Sequence, residues 1–532
     1  MADTATIIDD AKIGKDVIES LTLGMYEDCR FIYREYIQNA ADQVDKAIDY
    51  SLLEKGEEEI HVIINSEQRT IRIEDNATGI KENEVVPILR NIAHSTKRRG
   101  IDKGFRGIGR LGGLGYCSKL IFETSFAGEP VKSIMTWDAD LLKFIINNRD
   151  TAEEAKDVLV QVTSNTTEIE DKDKHYFHVI LEGVTSDDLL DVESVRDYLS
   201  MVAPVDIDSK FIFRNNINTF LKNNGLTVDT YNIYINGDQI YKPYTNYIYE
   251  DNHGGKKKVD DILGVDFILS KDENDSIMYW GWYSLSRLNG QMKPNNIARG
   301  IRLRKENIQI GDEEICKKFF SKTEDQRFSF YYFGEIHAIS KGLIPNSRRD
   351  YFGESTECVE FEKRIKNDFL KLKEICYDAQ KFRSSAIAIS KGEELRTKIE
   401  EKESNGYTSQ KEREDLQRQY EEQQKKEEQA RKQLENVQKK IQGSDSPLLN
   451  ILDKLKPEEK KEDNPPKNSP KKKGPEVQQS KTKFRTDKPI YSAYSKAEKK
   501  LIGKIYAAIS NAISDDRLKE ALISKIEEDI TR

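Results

Sequence analysis

Residues 60–75 contain the feature that most constrains the fold of this chain. The stretch IHVIINSEQRTIRIED alternates apolar and polar residues on either side of a polar turn. Because successive side chains of a strand point to opposite faces, this pattern predicts two paired strands with one buried face. Helical patterns at about 30–50 and about 82–93 flank the hairpin. We therefore expect a mixed α/β layer in this part of the chain.

Further strand patterns extend the α/β region to about residue 350. They are KLIFETSF, SIMTWDA, DVLVQVTS and HYFHVILEGV in the first half, and YNIYING, VDFILS, IMYWGWYS, GIRLRKENIQI and YYFGEIHAI in the second. A helix at about 191–201 leads into the segment MVAPVDIDSK, where we expect a domain boundary. The sequence thus predicts two α/β domains, residues 1–205 and 206–385.

The next region, residues 386–442, is predicted to form coiled-coil helices. Its second half carries apolar residues at heptad spacing, with Gln423 and Glu427 at two core positions. An Asn-Gly break, followed by Ser409 and Glu412 as a capping box, indicates that one helix turns back on the next. The alternative is a single charged helix that lies alone in solvent.

The last two regions differ sharply in composition. Residues 443–490 hold proline and an excess of lysine and arginine, which predicts a disordered basic linker. Residues 491–532 recover a helical period in two segments and are expected to form a small helical hairpin.

Charge and cysteine content narrow the class of protein. A net charge of -9 is not that of a general nucleic-acid binder. The five cysteines are scattered, without CxxC pairs, which argues against zinc and disulfides and fits a reducing compartment. The N-terminal residues lack the regions of a signal peptide, and no apolar run reaches the length of about 18 residues that spans a bilayer. We expect a cytoplasmic protein without a membrane partner.

Three polar residues share one face of the helix predicted at 30–50. Glu35, Asn39 and Asp42 stand at positions i, i+4 and i+7, beside the apolar stripe of that helix. Amide and carboxylate oxygens suit magnesium, and a carboxylate near such an ion can deprotonate a water molecule. The alternative is an ordinary solvated face.

Asp75 ends the second strand of the hairpin and precedes the loop Asn76-Ala77-Thr78-Gly79. Such a transition lets the backbone approach a ligand, and the carboxylate can accept a hydrogen bond from an exocyclic amine such as that of adenine. The alternative is a simple Asx turn.

Glycine is concentrated in the segment HSTKRRGIDKGFRGIGRLGGLGYCSK. Seven glycines between 100 and 115 alternate with basic residues, and this density argues against a regular element. The backbone N–H groups and cations of a mobile segment can wrap a polyphosphate. The segment matches neither a P-loop nor a dinucleotide-binding fingerprint. The alternative is a flexible linker.

In combination, these stretches resemble a known superfamily. REYIQNAADQVDKA, EDNATGI, IAHSTK and GRLGGLGYCS are similar to the nucleotide-binding boxes of the gyrase, heat-shock chaperone, histidine kinase and MutL (GHKL) ATPases. The first box is most similar to that of the ninety-kilodalton heat-shock chaperones. The resemblance covers about the first 200 residues. It implies a Bergerat-type α/β sandwich that binds ATP, followed by a middle or transducer domain.

The resemblance also implies roles for individual residues. Asn39 would hold Mg²⁺, Glu35 would activate the attacking water, and Asp42 would line the pocket. Asp75 would accept a hydrogen bond from the adenine amine, and Gly79 would shape the base pocket. The lid and its phosphate contacts would be formed by Ser95, Thr96, Lys97, Gly113 and Gly115. Ala77 departs from the family pattern, which usually has glycine at this position.

The stretch GLIPNSRRDYF is similar to the chaperone segment that supplies an arginine to the terminal phosphate. Arg348 is the better match and Arg349 a competitor, and either cation would stabilise charge on the transferred phosphoryl group. The alternative is a structural arginine paired with a carboxylate such as Asp350.

The function expected from these features is an ATP-hydrolysing molecular clamp. Lid closure and the arginine of the second domain would be coupled to a homodimer formed through the coiled coil or the C-terminal helices. The client would be a protein, as in chaperones, or nucleic acid, as in MORC- or MutL-type ATPases. The alternative is an ATP-binding scaffold with little turnover.

Overall fold

An eight-stranded sheet forms the base of the N-terminal region in the computed structural model. The structure describes residues 13–22, 28–92, 109–148, 150–252, 255–346, 348–444 and 446–456, and beyond these only residues 502, 505, 506, 522, 525 and 526. The strands follow one another across the sheet in the order β5 (Thr163–Ile169), β4 (Val131–Asp138), β3 (Lys119–Ser125), β6 (Tyr176–Glu182), β2 (Thr70–Asp75), β1 (Ile60–Asn65), β7 (Ile233–Ile235) and β8 (Asp238–Gln239).

The predicted hairpin lies inside this sheet, where β1 and β2 pair antiparallel from Ile60 opposite Asp75 to Asn65 opposite Thr70. On its other edge β1 pairs in parallel with β7. The sheet therefore continues past residue 205, where the sequence predicts a domain boundary. That boundary stays a prediction.

Short helices pack around the first sheet. They are α1 (Asp16–Thr22), α2 (Phe31–Asp49), α3 (Glu82–Arg90), α4 (Ala139–Asn147), α5 (Ala155–Gln161) and α6 (Val192–Val202), together with a 3-10 helix at Gly109–Gly115. The next helix, α7 (Arg214–Asn223), packs instead on the second sheet, where Phe220 stacks on Phe267. The apolar stripe of α2 forms one core with the inward residues of β1 and β2, among them Val62 and Ile73. Burying each such side chain contributes about 1.5–3 kcal/mol, so packing fixes the side of α2 that faces the sheet.

A second, five-stranded sheet follows. Its order is β11 (Gly264–Lys271), β12 (Ile277–Leu285), β15 (Phe333–Ala338), β13 (Gly300–Lys305) and β14 (Ile308–Ile310). β13 is parallel to β15, and the other pairs are antiparallel. A two-stranded ribbon of β9 (Tyr247–Asn252) and β10 (Gly255–Asp261) precedes it, and 3-10 helices at Ile315–Phe319 and Thr323–Tyr331 lie between β14 and β15.

Two strand predictions were wrong in detail. DVLVQVTS is not one strand, because its first half is the end of α5, which buries Val158, and only its last residues enter β5. GIRLRKENIQI is not one strand either, because Glu306 and Asn307 form a turn between β13 and β14.

Two long helices follow the second sheet, α8 (Thr356–Asn405) and α9 (Gln410–Gln442). They run antiparallel, since Lys440 pairs with Asp378 at 2.7 Å near one end and Lys402 pairs with Glu412 at 2.8 Å near the other. Ser409 caps α9 by accepting a hydrogen bond from the Glu412 N–H at 3.1 Å. The predicted turn-back is confirmed and the single-helix alternative is wrong, while the coiled-coil geometry stays a prediction.

The linker predicted for 443–490 begins with an ordered segment. A 3-10 helix at Pro447–Leu455 buries Leu448, Ile451 and Leu455 against the core of the second sheet and α8. The rest of that linker, and most of the predicted helical hairpin at 491–532, lies outside the described residues. The chain divides into two units, 1–458 and 459–532. The predicted fold class, a mixed α/β region followed by long helices, is confirmed.

No helix in the described part of the chain combines the length and the apolar character that a membrane-spanning segment requires.

Candidate functional site

Helix α2 carries the three polar residues that the sequence predicts as a site. Glu35 has a side chain that is 14% exposed, Asn39 is half-buried and Asp42 is buried. This graded burial differs from the solvated face that was the alternative, because three polar side chains on a wet face would be exposed. The face lies beside the apolar stripe that packs on the first sheet.

Glu35 is the point at which three distant parts of the chain meet. Its Oε1 atom lies 3.3 Å from Nη2 of Arg34 and 4.0 Å from Nε of Arg349, which follows the second sheet. Gly109 of the glycine-rich segment packs so closely on the carboxylate that a Cβ there would overlap Glu35 Oε2. The Glu35 carboxylate is thus enclosed by the backbone of Gly109 and by the guanidinium groups of Arg34 and Arg349.

The two candidate arginines of the second unit are placed differently. Arg348 is exposed, and its backbone carbonyl accepts a hydrogen bond from Nη2 of Arg34 at 3.2 Å. Arg349 is buried, with φ at 55° in the left-handed region. Burial lowers the pKa of Arg349, and the nearby charges of Glu35 and Asp42 oppose that shift. In this structure Arg349 is the arginine whose side chain reaches Glu35.

Asp75 is buried at the end of β2. Its Oδ1 atom accepts a hydrogen bond from the Ala77 N–H at 3.1 Å, as the Asx-turn alternative predicts. Burial nevertheless raises the pKa of Asp75 to about 7, although hydrogen bonds from the backbone of Ala77 and Phe177 act in the other direction. The carboxyl group therefore stands in a strongly desolvated position at neutral pH.

Gly79 follows in the same loop with φ at 65°, which favours glycine. A Cβ at this position would overlap the Ser125 carbonyl oxygen and would lie 2.9 Å from the Tyr176 carbonyl oxygen. The loop after Asp75 can therefore pass close to β3 and β6 only because residue 79 has no side chain.

The glycine-rich segment is partly regular. Gly113 and Gly115 lie in the 3-10 helix Gly109–Gly115, so the prediction that no regular element forms was wrong for these seven residues. The Gly113 N–H donates to the Tyr36 hydroxyl at 3.0 Å, and Leu111 and Leu114 are buried. These contacts fix the segment on α2. Ser95, Thr96 and Lys97 lie outside the described residues.

The donor set of this face fits magnesium held with a nucleotide. Among the described residues no cluster of three His, Cys, Asp or Glu side chains is arranged to hold a metal by itself. One amide oxygen, that of Asn39, with the Asp42 carboxylate nearby, suits an ion that takes most of its ligands from phosphate and water. Asp75, whose described partners are backbone N–H donors, suits a further amine donor.

Two residues of the site were missed by the sequence reasoning. Arg34 is 2% exposed and contacts both Glu35 and the Arg348 carbonyl. Tyr36 holds the glycine-rich segment through Gly113. The sequence contained one signal for them, because Arg34 and Tyr36 are the direct neighbours of Glu35. An arginine that is buried beside a carboxylate requires a partner for its charge.

Comparison with known proteins supports the resemblance. Residues 31–174 match the family model described as histidine kinase-, DNA gyrase B- and HSP90-like ATPase. Chaperone protein HtpG of Alcanivorax borkumensis is 34% identical over 135 residues, which cover 22% of this chain and 22% of that protein. Chaperone protein HtpG of Anaplasma phagocytophilum is 29% identical over 150 residues, which cover 25% of this chain and 23% of that protein.

The match thus spans less than a quarter of the length of these two relatives. It coincides with the sheet and helices that carry Glu35, Asn39, Asp42 and Asp75. The resemblance of the N-terminal region to the histidine kinase-, DNA gyrase B- and HSP90-like ATPases, which the sequence motifs predicted, is confirmed over residues 31–174.

Proposed function

We propose that this chain binds Mg-ATP, hydrolyses it as an ATP phosphohydrolase, and uses the cycle as a chaperone-like molecular clamp. The observation that carries the proposal is the convergence of three elements on Glu35: helix α2, Gly109 of the glycine-rich segment, and Arg349 after the second sheet. Hydrolysis needs a carboxylate, phosphate-binding amides and a cation at one place.

The residues have separate tasks in this proposal. Asp75 accepts a hydrogen bond from the adenine amine, and the tight loop at Gly79 shapes the base pocket. Asn39 holds magnesium, with Asp42 lining the same pocket. Magnesium supplies positive charge that balances the phosphates. By their place in the motif, Ser95, Thr96 and Lys97, which lie outside the described residues, are assigned to nucleotide contacts, and Gly113 and Gly115 are assigned to phosphate contacts in the nucleotide-bound state.

In the hydrolysis step, Glu35 accepts a proton and an arginine stabilises charge. The Glu35 carboxylate orients the attacking water and takes its proton. The motif favours Arg348 as the residue that stabilises charge on the terminal phosphate, whereas the geometry favours Arg349, which already lies at Glu35. Because both arginines follow the second sheet, this contact couples the nucleotide to that part of the chain.

A clamp of this type acts on a macromolecular client. The relatives named above are chaperone proteins, which supports a protein client. We place a homodimer contact in the long helices or the C-terminal residues as part of the same proposal. The second candidate is an ATP-binding scaffold with little turnover. It is favoured by the ion pairs of Glu35 with Arg34 and Arg349, because both cations compete with a water molecule for the carboxylate oxygens.

Steady-state ATP hydrolysis by the wild type and by Glu35→Ala tests the proposal. We expect the variant to retain Mg-ATP binding and to lose hydrolysis by about 10²–10⁴-fold, the usual contribution of a general base. Asp49→Ala, at the exposed end of the same helix, is the control and should hydrolyse ATP like the wild type. Wild-type protein that binds Mg-ATP but hydrolyses it no faster than Glu35→Ala would establish the scaffold instead.

A further inference from the structure

The turn between β13 and β14 has an unusual composition. Lys305 pairs with Ile308, so Glu306 and Asn307 are its only two turn residues, and both have positive φ, 54° and 60°. Hairpin turns of this kind normally carry glycine, asparagine or aspartate. Asparagine tolerates this conformation, whereas glutamate is strained there. The surrounding structure must therefore hold the turn in place.

Asn307 provides that hold through its side chain. It is 2% exposed, and its amide Oδ1 accepts a hydrogen bond from Nζ of Lys242 at 2.5 Å. Its Nδ2 donates to the backbone carbonyl of Asp229 at 2.7 Å and lies 3.5 Å from that of Val205. One amide thus ties the tip of the hairpin to the segment that leads into β7 of the first sheet.

A buried ion cluster supports the same junction. Glu335 on β15 pairs with Lys242 at 2.9 Å and with Arg304 at 2.7 Å, and all three are buried. Arg304 also donates to the Met201 carbonyl at 2.6 Å and to the Asn307 carbonyl at 3.0 Å. Buried charges of this kind hold one geometry, because breaking any of the contacts leaves a charge uncompensated.

The hairpin in turn holds Arg349. The Gly311 N–H, directly after β14, donates to the Arg349 carbonyl at 2.8 Å. The charge of Glu306 also favours the guanidinium, since it raises the pKa of Arg349 against the lowering caused by burial. The hairpin therefore holds the backbone of Arg349, and the charge of Glu306 adds to that of Glu35 in favouring its guanidinium.

The segment that leads into β7 also contacts α2, the helix that carries Glu35. Tyr231, two residues after Asp229, donates its hydroxyl to Asp45 of α2 at 2.7 Å. A continuous series of contacts therefore runs from α2 through residues 229–231 and Asn307 to the β13–β14 hairpin, and from the hairpin through Arg349 back to Glu35.

We propose that Asn307 is a positioning residue, which sets where Arg349 stands relative to Glu35 by tying the β13–β14 hairpin to the segment that contacts α2. The catalytic consequence rests on the proposed ATPase function, whereas the placement of Arg349 does not. Asn307 touches neither Glu35 nor the nucleotide pocket in this proposal and acts only through the hairpin.

Asn307→Gly tests this directly, because glycine keeps the positive φ of the turn and removes only the side-chain amide. The matched control is Asn236→Gly. Asn236 also has positive φ (49°) in a two-residue hairpin turn, and its amide also bonds a neighbouring strand, at Ile64, but this hairpin lies at the edge of the first sheet.

The first readout is labelling of arginine by phenylglyoxal, located by mass spectrometry. We expect Arg349 in Asn307→Gly to react several times faster than in the wild type, while the exposed Arg348 next to it reacts equally in all proteins and serves as the internal reference. Asn236→Gly should leave both rates unchanged. An unchanged Arg349 rate in Asn307→Gly overturns the proposal, whatever the ATPase result.

The second readout is ATP turnover at saturating Mg-ATP, with nucleotide affinity measured separately. A displacement of about 1 Å costs up to about a hundredfold in rate, so we expect kcat to fall by about ten- to a hundredfold with unchanged nucleotide affinity. A loss of affinity together with rate would indicate general unfolding and overturn the positioning role. Absence of ATPase activity in the wild type refutes the proposed function, and the labelling result still decides the role of Asn307.

Discussion

Asp75 is a buried carboxyl group whose pKa differs strongly from that of an aspartate in the unfolded chain. Burial raises its pKa to about 7, so at neutral pH the fold holds a carboxyl group that is partly protonated. The folded protein keeps this proton in a pH range in which the unfolded chain has lost it. The contribution of Asp75 to the free energy of unfolding is therefore full below about pH 4 and is lost as the pH rises to 7.

Nucleotide binding is expected to show the opposite pH dependence. The carboxylate form of Asp75 accepts a hydrogen bond from the adenine amine more strongly than the protonated form, in which one oxygen has become a donor, so binding favours release of the proton that the free protein holds at lower pH. We predict that affinity for adenosine rises about tenfold between about pH 6 and about pH 8. Titration calorimetry measures it, and adenosine is the probe because it has no phosphate groups that titrate in this range.

The control for this prediction is Asp75→Asn. Its adenosine affinity should be low and independent of pH, because the amide cannot titrate and presents a donor where the amine needs an acceptor. Unchanged affinity in Asp75→Asn, or a wild-type affinity that does not vary with pH, would contradict the assignment of Asp75 to adenine.

Single elements were predictable from sequence where one strong period decides their structure. α2 was expected at 30–50 and spans Phe31–Asp49, because its apolar stripe has only one way to cover the sheet. The β13–β14 hairpin was missed because Glu306 and Asn307 carry no glycine signal, and the turn is held by contacts with Lys242 and Asp229 that are distant in sequence. Local pattern cannot report such contacts.

The α8–α9 hairpin contains a polar defect that the heptad pattern did predict. Glu427 is 5% exposed, and its Oε2 atom has no hydrogen-bond partner, while Oε1 accepts from Arg431 at 2.7 Å. Gly392 of α8 faces it, since a Cβ there would overlap the carboxylate. A buried oxygen without a hydrogen-bond partner costs about 1–3 kcal/mol, so Glu427 destabilises the packing of α9 on α8 at this point.

We therefore predict that Glu427→Leu stabilises the hairpin by about 1 kcal/mol. Glu428→Leu is the control: Glu428 also pairs with a residue one turn on, Lys432 at 2.8 Å, but its side chain is 72% exposed. Hydrogen exchange of the α8 and α9 amides in the full chain measures the difference. Equal protection of these amides in Glu427→Leu and Glu428→Leu would show that the buried Glu427 carboxylate does not destabilise the hairpin.

At the scale of the whole molecule, the candidate site is complete only where the two sheets meet. The first sheet and its helices supply Glu35, Asn39, Asp42 and Asp75, all of which the sequence motifs indicated. The cation from the second unit could not be chosen from sequence, because Arg348 and Arg349 are adjacent and chemically identical. The left-handed φ of Arg349 and its burial, which depend on the complete fold, turn its side chain toward Glu35.

The final prediction separates these two arginines. We expect Arg349→Ala to lower ATP turnover by about a hundredfold or more, the usual effect of removing one group that stabilises transition-state charge, and to leave nucleotide affinity nearly unchanged. Arg348→Ala removes a cation of the same kind from an exposed position and should have only a small effect, since Arg348 contacts Arg34 through its backbone carbonyl, which alanine keeps. Single-turnover hydrolysis measures both. If Arg348→Ala shows the larger loss, the motif rather than the present geometry identifies the catalytic arginine, and the segment must rotate before hydrolysis.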